Sequence, residues 1–197
     1  MSFKLGLTGS IGMGKSTTAQ MFVDLGCALW DADAAVHRLY DVGGAAVAPM
    51  QEKFPEAVVA GAISRDKLKE VIGHDPSALQ SIEEIVHPLA AQDRAEFIAS
   101  AKADILVFDI PLLFETGGNT SMDAVVCVSI LPELQRDRVL ERGTMSEAQF
   151  GQIRAKQMPN DEKVARADYI VTTDTLDHAR QQVEKIVTTI RGQLDNA

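Results

Sequence analysis

Short apolar segments alternate with segments of helical period along this chain. Five segments have the length and the β-branched or aromatic content of buried strands, at residues 3–8, 27–31, 104–109, 123–129 and 168–172. Between them apolar residues recur every three or four positions, as Val183, Ile186, Val187 and Ile190 do near the end of the chain. This alternation is typical of a parallel sheet with helices on both faces. The pattern therefore predicts a three-layer α/β/α fold around a five-stranded parallel sheet.

Two long stretches without strands interrupt the alternation. They cover about residues 40–100, after the second strand, and about residues 132–166, after the fourth. Both have helical period, and in the first of them Pro88 either kinks one long helix or separates two. Connections of this kind return at the carboxyl edge of a parallel sheet, where ligands of open α/β sheets bind. We therefore expect both insertions to cover that edge.

A phosphate-binding motif joins the first strand to the first helix. It fits the pattern G-x-x-x-x-G-K-[ST] with Gly9, Ser10, Ile11, Gly12, Met13, Gly14, Lys15 and Ser16. Its glycines let the backbone turn around an anion, and the start of the helix adds partial positive charge. Lys15 can reach the β- and γ-phosphates, and the Ser16 hydroxyl can ligate Mg²⁺. The flanking strand and helix favour this interpretation over a chance glycine-rich turn.

Composition and charge narrow the class of protein. The 197 residues are 46% hydrophobic, which suffices for one compact α/β domain. A net charge of −9 argues against nucleic acid and membrane surfaces as partners. Cys27 and Cys127 lie in separate apolar runs, so we expect buried free thiols. With no basic leader and no apolar run of about 18 residues, we expect a cytoplasmic protein. As its state of assembly we expect a monomer or a weak homo-oligomer.

Carboxylates follow two of the predicted strands. Asp31 and Asp33 come at the exit of the second strand, and Asp109 ends the third. A carboxylate at this edge can orient an acceptor hydroxyl and take its proton, and we favour Asp33 over Asp31 for that role. The other aspartate is expected to cap the following helix. Asp109 is either a Walker-B carboxylate for the metal, a cap, or a buried partner of Lys15.

Basic residues crowd the second insertion. Arg138 and Arg142 are four positions apart and so project from one helix face, with Arg136 close by. Such a face is either solvated or closes over a triphosphate, and the phosphate loop favours the second, with Arg142 as the best candidate. His87 is not needed for phosphoryl transfer, so we expect it to pack or to contact substrate.

Several blocks together make the chain similar to the dephospho-coenzyme A kinase family over essentially its whole length. They are residues 6–16, Asp31-Ala32-Asp33, Ile85-Val86-His87-Pro88, Pro111-Leu112-Leu113-Phe114-Glu115, Gln157-Met158-Pro159 with Glu162-Lys163, and Ala167-Asp168-Tyr169. The Pro-Leu-Leu-Phe-Glu and Asp-Ala-Asp blocks are the specific ones. The resemblance implies a P-loop kinase that uses ATP and Mg²⁺ to phosphorylate the ribose 3′-hydroxyl of dephospho-CoA, the last step of coenzyme A synthesis.

The resemblance also implies a division of the chain and roles for its residues. It implies a single domain over residues 1–197, with a nucleotide-binding core (about 1–35, 102–131 and 166–197), a helical substrate-binding insertion (about 36–101) and a lid (about 132–165). Asp33 would be the base and Arg142 the lid arginine. Residues 9–17, from Gly9 to Thr17, would bind ATP together with Arg138, and Ser16 and Asp109 would serve the metal. The substrate side would be lined by His87, Pro111, Leu112, Leu113 and Phe114.

One position departs from the family pattern, and other functions remain open at this point. The family usually continues the last strand into Asp-Asn, whereas this chain has Thr172-Thr173-Asp174, in which Thr173 offers a hydroxyl. Another small-molecule P-loop kinase, for a nucleoside monophosphate or a shikimate-like alcohol, is the main alternative. A GTPase switch is disfavoured because no N-K-x-D motif is present. A nucleotide-binding module without catalysis is the third possibility.

Overall fold

The computed structural model describes residues 2–196. Over these residues it has seven strands and nine α-helices. In chain order they are β1 (Phe3–Thr8), α1 (Lys15–Asp24), β2 (Ala28–Asp31), α2 (Ala32–Tyr40), α3 (Val47–Lys53), β3 (Val58–Val59), β4 (Ala62–Ile63), α4 (Arg65–His74), α5 (Ala78–Ser100), β5 (Ile105–Asp109), β6 (Ala124–Ser129), α6 (Pro132–Glu141), α7 (Glu147–Lys156), α8 (Asn160–Arg166), β7 (Tyr169–Thr172) and α9 (Leu176–Leu194).

Five strands form a parallel sheet in the order β2-β5-β1-β6-β7. The central strand β1 places Leu7 opposite Asp109 of β5 and Val126 of β6. All five residues of β5 are buried, as expected for an inner strand covered on both faces. These strands match the five predicted segments to within one residue at each end. The predicted α/β fold is therefore confirmed.

The main hydrophobic core joins the sheet to α1 and α9. Leu7 and Val126 of the sheet pack with Phe22 of α1 and with Val183 and Ile190 of α9, and all five side chains are fully buried. Burial of one such side chain stabilises the fold by about 1.5–3 kcal/mol. The helical period predicted near the end of the chain thus corresponds to the face of α9 that covers the sheet.

The chain divides into two compact units. Asp31–Ser100 forms one of them, and the residues up to Trp30 together with those from Ala101 onward form the other. The Asp31–Ser100 unit has a core of its own, with Leu39, Met50 and Ile82 among its buried residues. It also contains a small antiparallel hairpin of β3 and β4. The prediction that residues 40–100 contain no strand is therefore wrong for this hairpin, because two-residue strands are too short to show a period.

Helix ends and interruptions follow local signals for the most part. Pro88 lies inside one continuous helix, α5, so it does not separate two helices. Ser146 forms the expected capping box with Gln149 at the start of α7. Helix α8 has no apolar stripe that would mark its bounds in the sequence, since only Lys163 of its seven residues is buried.

Both cysteines are free and buried, as expected. Burial raises the pKa of the Cys27 and Cys127 thiols to about 11, so both stay protonated near neutral pH. Across residues 2–196 no helix has both the length and the apolar character to cross a bilayer.

Candidate functional site

The phosphate-loop motif connects β1 to α1, as its sequence context predicted. Gly12 and Gly14 have φ angles of 79° and 89°, in the left-handed region that residues with a Cβ rarely adopt. A Cβ added to Gly12 would clash with Cγ2 of Val139 on α6. The glycines therefore allow both a tight turn and a close approach of the loop to α6. The first turn of α1 follows at once, so its free N–H groups and its positive dipole end lie next to the loop.

Lys15 is paired with an aspartate of the neighbouring strand. Its Nζ donates a hydrogen bond to Oδ1 of Asp109, the last residue of β5. The side chain of Asp109 is 2% exposed and that of Lys15 is 16% exposed. Of the three roles left open for Asp109, a partner for Lys15 is therefore the one that the structure displays.

The oxygen donors near the loop fit a magnesium ion that arrives with a nucleotide. Ser16 is exposed in the first turn of α1, and Asp109 supplies a carboxylate beside Lys15. Among residues 2–196 no group of three or more His, Cys, Asp or Glu side chains is placed to hold a metal ion. Mg²⁺ bound to nucleotide phosphates needs only one or two protein oxygens, because phosphates and water supply the rest. The donor set is sufficient for that mode.

The two aspartates after β2 have different environments. Asp31 is the N-cap of α2, and its Oδ1 accepts a hydrogen bond of 2.8 Å from the Ala34 N–H. Asp33 lies in the first turn of the same helix and is exposed, and its side chain has no hydrogen bond or ion pair to any other described residue. The expectation that one aspartate caps the helix is therefore confirmed for Asp31. The role of Asp33 as a base stays a prediction.

Arg138 contacts the loop after the last strand. Its guanidinium donates to the backbone oxygen of Thr173 at 2.6 Å and to Thr173 Oγ1 at 3.2 Å. Thr173 Oγ1 in turn donates to the backbone oxygen of Met13 at 2.7 Å. The residue that stands where the family usually has asparagine thus ties the phosphate loop to the segment after β7. The Thr173 hydroxyl therefore forms its hydrogen bond with another part of the protein, the Met13 carbonyl.

The other two arginines of α6 differ from each other. Arg136 forms an ion pair with Glu147 of α7, with 2.7 Å between its Nε and Oε1. Arg142 follows the last residue of α6 and is exposed, and its guanidinium has no hydrogen bond or ion pair to another residue in the described part of the chain. Arg142 is therefore the member of this group whose guanidinium is uncommitted.

The residues predicted to line the substrate side are not equally accessible. Leu113 and Phe114 are 0% and 6% exposed, and they pack with Val125 in a small apolar cluster. Leu112 is 41% exposed, and His87 is exposed on α5. The side chains of Leu113 and Phe114 therefore pack in the interior, although the residues between them and β5 are less buried. Leu112 is the apolar side chain of this block that faces solvent.

A buried ion pair beneath this block was missed by the sequence analysis. Lys163 of α8 is fully buried, and its Nζ lies 2.9 Å from Oε1 of Glu115 and 3.0 Å from the backbone oxygen of Pro111. Thr8 Oγ1 donates to the same Pro111 oxygen at 3.1 Å. Burial alone would raise the pKa of Glu115, but hydrogen bonds from Lys163 and from the Met158 N–H outweigh it and hold this pKa below its usual value.

Comparison with known proteins decides the family. The sequence model of the dephospho-CoA kinase family matches residues 3–178, most of the chain. The chain belongs to the dephospho-CoA kinase family. A dephospho-CoA kinase of Ruegeria pomeroyi is 73% identical to it over 192 residues, which are 98% of each protein. The reaction of the present chain is that of the family, the ATP-dependent phosphorylation of dephospho-CoA, which is the last step of coenzyme A biosynthesis.

Solved structures agree with this assignment. A crystal structure of a Thermus thermophilus protein is 29% identical to this member of the dephospho-CoA kinase family, with a TM-score of 0.85 over 95% of this chain and 97% of that one. The structure of dephospho-CoA kinase from Campylobacter jejuni, 23% identical, shares the fold with a TM-score of 0.70 over 98% of this chain and 100% of that one. The family model and the relative from Ruegeria pomeroyi confirm the family and the reaction inferred from sequence blocks, and the solved structures agree in fold.

Proposed function

We propose that this dephospho-CoA kinase transfers the γ-phosphoryl group of ATP with Asp33 as general base and the phosphate loop as the ATP cradle. The observation that carries the proposal is the loop itself, with Lys15 bonded to Asp109 at its end. Backbone N–H groups of the loop and the start of α1 would bind the phosphate oxygens. Lys15 would stabilise the charge on the β- and γ-phosphates.

Asp33 is proposed to accept the proton of the acceptor alcohol. As the ribose 3′-oxygen forms its bond to the γ-phosphorus, the bond from that phosphorus to the β,γ-bridging oxygen breaks and ADP leaves. The proton of the 3′-hydroxyl passes to the Asp33 carboxylate. The exposed, uncommitted carboxylate of Asp33 supports this assignment, whereas Asp31 is engaged in capping α2.

The remaining roles complete the proposal. Ser16 and Asp109 would hold Mg²⁺, which supplies positive charge for the phosphate oxygens. The exposed guanidinium of Arg142 would bind the transferring group, and residues 132–165 would act as the lid. Residues 36–101 would carry substrate-binding surface, with His87, and Leu112 would contribute from the block after β5. Thr17 and Arg138 would complete the nucleotide contacts.

A lysine variant tests the ATP cradle. We expect Lys15→Ala to weaken ATP binding, measured by titration calorimetry with Mg²⁺, and to lower turnover with dephospho-CoA by at least about a hundredfold. The exposed Lys156→Ala on α7 is the control and should retain both. If Lys15→Ala bound ATP as tightly as the unchanged protein, the loop would not be the cradle.

A further inference from the structure

Two glutamine side chains hold both backbone polar groups of one residue in the phosphate loop. Gln135 Nε2, on α6, donates to the Ile11 carbonyl oxygen at 2.6 Å. The Ile11 N–H donates to Oε1 of Gln157, just after α7, at 3.1 Å. One carboxamide therefore acts as a donor and the other as an acceptor. Gln135 is only 3% exposed, so its amide sits in a largely dry environment.

Other contacts of the loop lie beside Ile11, since Val139 abuts Gly12 and Thr173 Oγ1 donates to the Met13 carbonyl oxygen. Both glutamines, with Ser10 and Met13, line a cavity of about 710 Å³ beside the loop. The cavity borders the loop at Ser10 and Met13, which flank Ile11 and Gly12 in the chain. The neighbouring Gly12 has a positive φ and little intrinsic preference for one conformation. The orientation of the peptide groups around Ile11 thus depends on the two carboxamides.

Peptide planarity carries this constraint to the phosphate cradle. The Ile11 carbonyl and the Gly12 N–H belong to one rigid peptide unit, so fixing the first fixes the direction of the second. Gln157 in the same way fixes the peptide unit between Ser10 and Ile11. Backbone N–H groups of this motif are the groups that bind phosphate. The two glutamines therefore set the direction in which the cradle presents its donors.

We propose that Gln135 and Gln157 are positioning residues for ATP, which hold two successive peptide units of the phosphate loop in their binding orientation. The inference rests on the proposed role of the loop as the ATP cradle and adds two residues to it. Gln135 precedes α7 in the chain and Gln157 follows it. The lid segment is therefore anchored to the loop both before and after that helix.

The test replaces each glutamine with methionine, which keeps length and volume but removes the amide. We expect Gln135→Met and Gln157→Met each to weaken the ATP affinity by about tenfold, because an orphaned loop group and a freed peptide unit both disfavour the bound state. The KM for ATP should rise in parallel, while the KM for dephospho-CoA stays unchanged. Gln152→Met, the same change at an exposed site on α7, should alter the ATP affinity by less than about twofold.

Three outcomes would be decisive. If the two variants lowered the melting temperature but bound ATP as the unchanged protein does, the glutamines would be merely structural and the proposal wrong. If buried Gln135→Met did not fold, the half-buried Gln157→Met would decide alone by the same ATP titration. The Lys15→Ala variant distinguishes failure of the proposed ATP cradle from failure of the positioning role. Intact ATP binding in Lys15→Ala would refute the cradle. Lost ATP binding in Lys15→Ala, together with normal ATP binding in the glutamine variants, would refute only the positioning role.

Discussion

Polar side chains with a part in holding the phosphate loop or in the proposed reaction fall into two groups. Thr173 and Arg138 are bonded to protein groups of the loop and its neighbours, and so serve to hold backbone in place. Ser16, Asp33 and Arg142 are exposed, and each offers a group that phosphoryl transfer uses: a hydroxyl, a carboxylate and a guanidinium. The exposure of Ser16, Asp33 and Arg142 supports their proposed roles, and Arg138 would contact the nucleotide from a position that its hydrogen bonds to Thr173 hold in place.

The buried pair of Glu115 and Lys163 makes a prediction about acid stability. The pKa of Glu115 is depressed in the folded protein, so the pair stabilises it fully above the usual value of 4.5, and this stabilisation is lost as pH falls through the lower folded pKa. Glu115→Gln should destabilise the protein near neutral pH, toward the low end of about 3–5 kcal/mol, because Gln still accepts one hydrogen bond.

The measurement is denaturant unfolding of both proteins as a function of pH. The difference in unfolding free energy between the unchanged protein and Glu115→Gln should become smaller at pH values well below 4.5. At those pH values Glu115 of the unchanged protein is protonated, and so is uncharged like Gln. A difference that stayed constant down to the acid limit would show that the carboxylate charge does not contribute.

The sequence predicted residues whose role depends on a local motif and missed those that depend on distant pairing. Lys15, Asp31 as a cap and the glycines of the loop follow from neighbours in the chain. Ile11 and Gln157 are 146 positions apart, and Gln135 is 124 positions from Ile11, so no local period could bring them together. Lys163 sits in a short polar helix and resembles a surface residue, although it is fully buried.

At the scale of elements, α6 and α7 have different relations to the phosphate loop. Helix α6 contacts it through Gln135 and through Val139, which abuts Gly12. Helix α7 has one strongly buried residue, Phe150, and is linked to α6 by the exposed pair of Arg136 and Glu147. We therefore expect lid movement to be concentrated in α7, while α6 stays with the loop.

A cap variant tests this division. Ser146→Ala removes the capping box of α7 and should cost that helix about 1 kcal/mol. Amide hydrogen exchange should then be faster in α7 and unchanged in α6, because the contacts of α6 with the loop are untouched. Equal acceleration in both helices would indicate that they open as one unit.

Elements were predicted well where period and length suffice. The strands β1, β5 and β6 stand out as apolar runs, and the alternation of strands with helical segments along the chain predicted a parallel sheet. The β3–β4 hairpin was not predicted, because each of its strands has only two residues. The sequence could not decide whether Pro88 kinks one long helix or separates two helices, since a proline is compatible with both.

For the whole molecule, family membership defines the reaction, and substrate choice tests it. ADP release should be rapid with dephospho-CoA, whereas AMP, CMP and shikimate should give at least about a hundredfold lower kcat/KM, because a site built for one acceptor leaves its polar groups unpaired with others. A coupled assay of ADP formation measures this directly. Comparable kcat/KM for a nucleoside monophosphate or for shikimate would contradict the assignment.

The most direct test of the central claim is the single-turnover rate of phosphoryl transfer in Asp33→Asn, measured beside Asp31→Asn. Asn is as good an N-cap as Asp, so Asp31→Asn should keep α2 intact and react within about threefold of the unchanged protein. Asp33→Asn should be slower by about a hundredfold or more with ATP affinity retained, because it removes the base and leaves the cradle. A near-normal rate in Asp33→Asn, or a large loss in Asp31→Asn instead, would contradict the account.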